Sequence, residues 1–146
     1  MCIRDRAYIL QKEYDKALAD LQVWVNNTIN GPYTLTKEAI ENWVDSYQYY
    51  TPNAPTPKKK LNPEFAIEEG QQEAYLQFLL YARRYETMFS GLRWFDIKRY
   101  GIEIYRRTMQ SGQPVSIGDM LKVRDNRCAL QIPPDVISAG ITPNPR

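Results

Sequence analysis

The chain of 146 residues contains no histidine. That removes the commonest general base and the commonest metal ligand. Neither a Ser-His-Asp triad nor a His-ligated zinc site can be built within it. Cysteine is nearly absent too, with only Cys2 and Cys128. Nothing supports a disulfide between the first residues and the far end, and two isolated thiols leave the redox compartment open. Cys2 does not read as a lipidated cysteine, because a lipobox follows a basic and an apolar segment and only Met1 precedes it. No apolar run approaches the roughly 18 residues of a transmembrane helix. Neither sign of charge dominates: the net charge is +2, so nucleic-acid binding is not expected from charge. Tyrosine and proline are well supplied, at 11 and 10 residues. A hydrophobic share of 43% with 25% charged residues is ordinary for a globular chain, and the length suits one domain with a modest core.

The opening Met1-Cys2-Ile3-Arg4-Asp5-Arg6 fits no apolar period that continues beyond it. It resembles a translated adapter scar and is expected to lie outside the fold, leaving residues 7–146 as the folded part and the chain as a piece that begins mid-protein. Tyr14, Ala17, Leu18, Leu21, Trp24 and Val25 recur at three- and four-residue steps, so a helix is predicted from Ala7 to Ile29. Within it, Lys12 to Leu21 is similar to the second helix of a tetratricopeptide unit; any amphipathic helix would read the same way. Asn30-Gly31-Pro32 ends it. Thr36 reads as an N-cap of a second helix carrying Ala39, Ile40, Trp43, Val44 and Tyr47 on its apolar stripe. Residues 49–63 hold Pro52, Pro55, Pro57, Pro63 and the run Lys58-Lys59-Lys60, which predicts a surface loop. A long helix is predicted from Gln71 to Phe89, with Tyr75, Phe78, Leu79, Ala82, Glu86 and Phe89 on one face. Ser90-Gly91 breaks it, and a short helix over Leu92–Tyr100 ends at Gly101. Beyond lie Ile102, Ile104 and Tyr105, which could form a short strand or continue as helix, a turn at Ser111-Gly112-Gln113-Pro114, hairpin or irregular structure over Val115–Val123, an extended stretch over Cys128–Ile132, and one helical turn opened by Pro133-Pro134.

The segment Tyr81–Gly101, YARRYETMFSGLRWFDIKRYG, sets five basic and two acidic residues among large apolar side chains. Such charges are costly unless paired. Paired carboxylates can hydrolyse glycosides. Here both acids lie within helical reach of several arginines, which depress carboxyl pKa values and spoil a general acid. Arg83, Arg84, Glu86, Arg93 and Asp96 are therefore read as a structural network locking the helix bend, with Glu86 on the buried stripe. No catalytic residue, metal site or cofactor is expected.

That segment, followed by DNRCALQIPPDVISAGITPNPR, resembles the C-terminal part of the SusD/RagB family, the outer-membrane nutrient-binding lipoproteins of bacteria. The matching residues are Arg83, Glu86, Phe89, Gly91, Arg93, Phe95 and Asp96, then Ile132, Pro133, Asn144 and Pro145. The resemblance covers about the last 65 residues most strongly. It implies a mostly α fold: a tetratricopeptide-like helical scaffold with an irregular C-terminal region. It implies cell-surface capture of glycans, or in some lineages peptides, and delivery to a TonB-dependent outer-membrane transporter. The membrane would be reached only through a lipid anchor outside this chain.

Sugars commonly stack their apolar faces on aromatic rings. The candidate ligand residues are Tyr49 and Tyr50 with Asn53, beside Tyr47. The plainer reading is that Tyr47 is core and that Tyr49 and Tyr50 pack the loop down. Trp24, Trp43 and Trp94 lie on apolar stripes and are expected in the core. A helical-repeat adaptor binding another protein is the alternative function, and an enzyme is disfavoured.

Overall fold

The computed structural model describes residues 3–46 and 60–145. Its described residues form six α-helices and one two-stranded sheet, and the fold is mostly α. The chain separates into two compact units. The first takes in residues 1–48 and 65–96; the second takes in 49–64 and 97–146.

The first unit is helical. Helix α1 (Ile3–Leu10) and helix α2 (Tyr14–Thr28) form a helix pair where one helix was expected. The break falls at Lys12, whose φ of +62° is left-handed and cannot continue a right-handed helix. Lys12 there pairs with Glu68. The first residues also differ from expectation. Ile3–Arg6 are not outside the fold but open α1, Asp5 is buried, and Arg4 donates to both carboxylate oxygens of Asp20 at 2.7 and 2.6 Å. The bidentate Arg4 pair, with a further hydrogen bond from Asp5, holds the Asp20 carboxyl below the usual carboxylate range.

On α2 the predicted stripe is real: Ala17, Leu21 and Val25 are fully buried. Gln22 reaches from this helix to the following loop, accepting from Leu35 N at 2.6 Å and donating to Tyr33 O at 2.8 Å. Thr36 caps helix α3 (Lys37–Ser46) by accepting from Ala39 N at 3.1 Å, as its residue type implied. Ile40 and Val44 bury the inner face of α3.

Helix α4 (Gln71–Glu86) is the centre of this unit. A helix one face of which meets the core buries about a third of its circumference. Here every residue from Ala74 to Leu80 is buried, along with Gln72 and Ala82. Buried Gln72 keeps its amide satisfied: its Nε2 donates to Ile9 O at 3.1 Å, and its Oε1 accepts from Glu68 N at 2.8 Å. Glutamine 72 thereby ties the end of α1 to the start of α4.

Helix α5 (Arg93–Arg99) carries the chain into the second unit, whose largest element is a β-hairpin. Strand β1 (Ile104–Gln110) pairs antiparallel with β2 (Gln113–Leu121), Ile104 opposite Leu121 and Gln110 opposite Gln113, with two register shifts between. The turn is Ser111-Gly112, at φ +50° and +77°, the doubly positive geometry that suits a two-residue hairpin loop. Where sequence left Ile102–Tyr105 open between strand and helix, the residues from Ile104 onward are strand. Asn126–Cys128 form a 3-10 turn, which Asp125 caps by accepting from Arg127 N at 2.9 Å; of the stretch expected to be extended, Cys128 falls in this turn and Ala129 beyond it takes extended backbone. Helix α6 (Pro134–Ser138) is the predicted proline-opened turn.

Candidate functional site

The polar network at the α4–α5 junction takes its geometry from a helix end. Thr87 Oγ1 donates to Arg83 O at 2.7 Å, and Ser90 Oγ donates to Thr87 O at 2.7 Å, so the chain turns instead of continuing α4 to Phe89. The turn returns α5 toward the last turn of α4. Arg83 Nε then donates to Asp96 Oδ2 at 3.1 Å, with side chains only 16% and 2% exposed. This is a desolvated ion pair between two residues singled out in the sequence. Arg93 lies half-buried beside them in the chain, whereas Arg84 is exposed.

Glu86 differs from expectation. Periodicity placed it and Phe89 on the buried stripe of α4, yet both are exposed, Phe89 completely. The helix stops at Glu86, and Phe89 takes a φ of +67°, so the stripe cannot extend that far. Of the two acids, Asp96 is the buried one. A carboxylate held against a guanidinium at low exposure is suited to joining helices.

Tyr49, Tyr50 and Asn53, with Tyr47, lie outside the described residues. A different aromatic group is visible in the first unit. Trp24 and Trp43 both meet Phe78 edge-on, with ring centroids 6.1 and 5.4 Å away. Trp43 lies 4.5 Å from Tyr81, and Tyr81 lies 4.9 Å from Tyr85. The Tyr81 and Tyr85 hydroxyls are 2.9 Å apart and hydrogen-bonded. The row climbs from buried Phe78, through half-buried Trp43 and Tyr81, to Tyr85 at 52% exposure. Trp24, Trp43 and Trp94 are all half-buried rather than fully in the core. The i, i+4 spacing of Tyr81 and Tyr85 was the sequence signal for this pairing; the contact with Trp43 depends on α3 packing against α4.

A second charged knot lies in the second unit and was not singled out from sequence. Arg127 donates from Nε and Nη2 to the Asp125 carboxylate, each at 2.8 Å, from Nη1 to Asp119 Oδ2 at 2.7 Å, and from Nη2 to Met120 O at 2.6 Å. The Arg127 hydrogen bonds hold both carboxyls below the usual carboxylate range, Asp125 most strongly. The knot fastens the 3-10 turn to β2.

Among the described residues, no group of three or more His, Cys, Asp or Glu side chains is placed to hold a metal ion, and no helix is long and apolar enough to cross a membrane. No family model, curated protein or solved structure matches the chain.

Proposed function

We propose that this chain is the C-terminal part of a SusD/RagB-like cell-surface protein that captures glycans, or peptides, and delivers them to a TonB-dependent outer-membrane transporter. The observation that carries the reading is the pair of ordered motifs, Arg83 to Asp96 and Ile132 to Pro145. The geometry supports giving those motif residues a scaffold role. Arg83 and Asp96 are joined in the low-exposure ion pair. Asn144, of the closing motif, donates from its side chain to Leu130 O at 2.6 Å. Such a protein binds and hands on its ligand without chemistry, which agrees with acids committed to arginines. The α1–α2 helix pair is compatible with a tetratricopeptide-like scaffold and keeps a second reading in view, that of a helical-repeat adaptor for another protein.

The complete reading frame and its neighbouring gene test this. An apolar signal segment ending in a lipobox cysteine, with a transporter gene alongside, is the expected outcome. A start without any export signal, and no transporter nearby, would overturn the proposal in favour of the adaptor.

A further inference from the structure

An asparagine followed by glycine carries an electrophile and a nucleophile side by side. The glycine backbone nitrogen can attack the asparagine side-chain amide, and glycine has no side chain to hinder the approach. A helical hydrogen bond on that nitrogen, or a proline in its place, blocks the attack. The other described asparagines are blocked in this way. Asn26 and Asn27 sit within α2, and Asn42 within α3. Asn62 and Asn144 precede prolines, which have no N–H. Asn126 is followed by Arg127, whose backbone N–H donates to Asp125 Oδ1 at 2.9 Å. Asn30 differs. It and Gly31 are exposed in the connection between α2 and α3. Among the described residues, no hydrogen bond engages the Asn30 side chain or the Gly31 N–H. Gly31 takes a φ of +110°, and no atom lies within 4 Å of where a Cβ would stand.

We propose that Asn30-Gly31 is a site of self-modification, at which Asn30 converts to aspartate and isoaspartate and the end of α2 is weakened. The Gly31 backbone nitrogen loses its proton and forms a bond to Asn30 Cγ. The Cγ–Nδ2 bond breaks, and the amide nitrogen takes up a proton and leaves as ammonia. The cyclic imide that results adds water. Opening at one carbonyl gives aspartate and at the other isoaspartate. Water is consumed and ammonia released, with nothing oxidised or reduced. Either product sets a carboxylate just beyond Ile29, the C-cap of α2. The helix dipole is negative at that end, and the last turn of α2 carries no basic residue to offset it. Isoaspartate also lengthens the backbone path to Tyr33 and Leu35, whose main-chain groups Gln22 of α2 holds. The inference is independent of the glycan-capture reading.

The test incubates the 146-residue chain in mildly alkaline buffer and maps its peptides by chromatography and mass. The peptide holding Asn30 should accumulate two products that elute apart and share one mass, that of amide-to-acid conversion. Asn26 and Asn27, held in α2, should stay amides over the same period. Asn30→Gln, whose longer side chain closes the ring poorly, should abolish both products. Asn30→Asp, which carries one product's charge from the start, should melt about 2 °C lower than the unaltered chain, the effect of an unfavourable charge at a helix end. An Asn30 that stays intact, or that converts no faster than Asn26 and Asn27, overturns the site, as do acidic products that persist in Asn30→Gln. An Asn30→Asp chain that melts with the unaltered one overturns the weakening of α2.

Discussion

A buried carboxylate must be answered by a cation or by several donors, and Asp96 is answered by Arg83. Removing the arginine alone leaves a desolvated acid. Arg83→Ala should therefore lower stability by about 3 kcal/mol, measured by urea unfolding, whereas Arg83→Met combined with Asp96→Leu should lose much less. Equal losses in the two would show that the pair is not the source of the effect. Glu86→Ala, at an exposed position, should change stability by less than about 1 kcal/mol. Gly101 makes the other sharp demand. Its φ is +55°, and a Cβ there would lie 2.1 Å from the carbonyl oxygen of Asn62. Gly101→Ala should cost about 2 kcal/mol or more, since backbone strain adds to a clash with backbone. Gly31→Ala, also at positive φ but with open space around it, should cost less. A thermal melt of both variants decides the order.

At the scale of elements, what was legible was local chemistry. Thr36 as a cap, the stripe of α2, the proline opening α6 and the turn at Ser111-Gly112 all follow from residue type and spacing. What was not legible depends on side-chain pairings that apolar periodicity does not register, one of them with a partner distant in sequence. The break at Lys12 accompanies its pairing with Glu68, 56 positions later. The shortened α4 reflects a turn whose hydroxyl bonds outcompete an apolar period that would have run on to Phe89. The Arg127 knot joins acids from two elements, and periodicity carries no trace of it. That knot has a pH signature. The folded-state carboxyls of Asp125 and Asp119 sit below their unfolded values, so their stabilisation is present above the unfolded carboxyl range near pH 4 and is lost as pH falls through the folded values. The melting temperature should therefore drop on acidification below about pH 4. Asp125→Asn should be less stable at neutral pH and should show a shallower drop; an unchanged acid profile would remove the knot from the stability of this unit.

At the scale of the molecule, the two compact units differ in how they are held. The first has a continuous apolar core centred on α4, and no residue of either hairpin strand in the second is fully buried. Amide exchange should follow that difference, slowest over Ala74–Ala82 and fastest in the outer half of the hairpin around Ser111-Gly112. Uniform protection across both would contradict it. The amino-acid sequence alone determined that the chain is mostly helical and where most helices start or stop. It also singled out a charged segment whose cost demands pairing. These properties depend on composition, near-neighbour spacing and backbone preference, which are written in consecutive residues. Tertiary structure decided which acid is buried, that α4 is enclosed on nearly all sides, and that Trp43 joins Tyr81 and Tyr85 in one row. Burial and contact between separate helices depend on how surfaces fit in three dimensions, and no periodicity along one helix specifies what its neighbour covers.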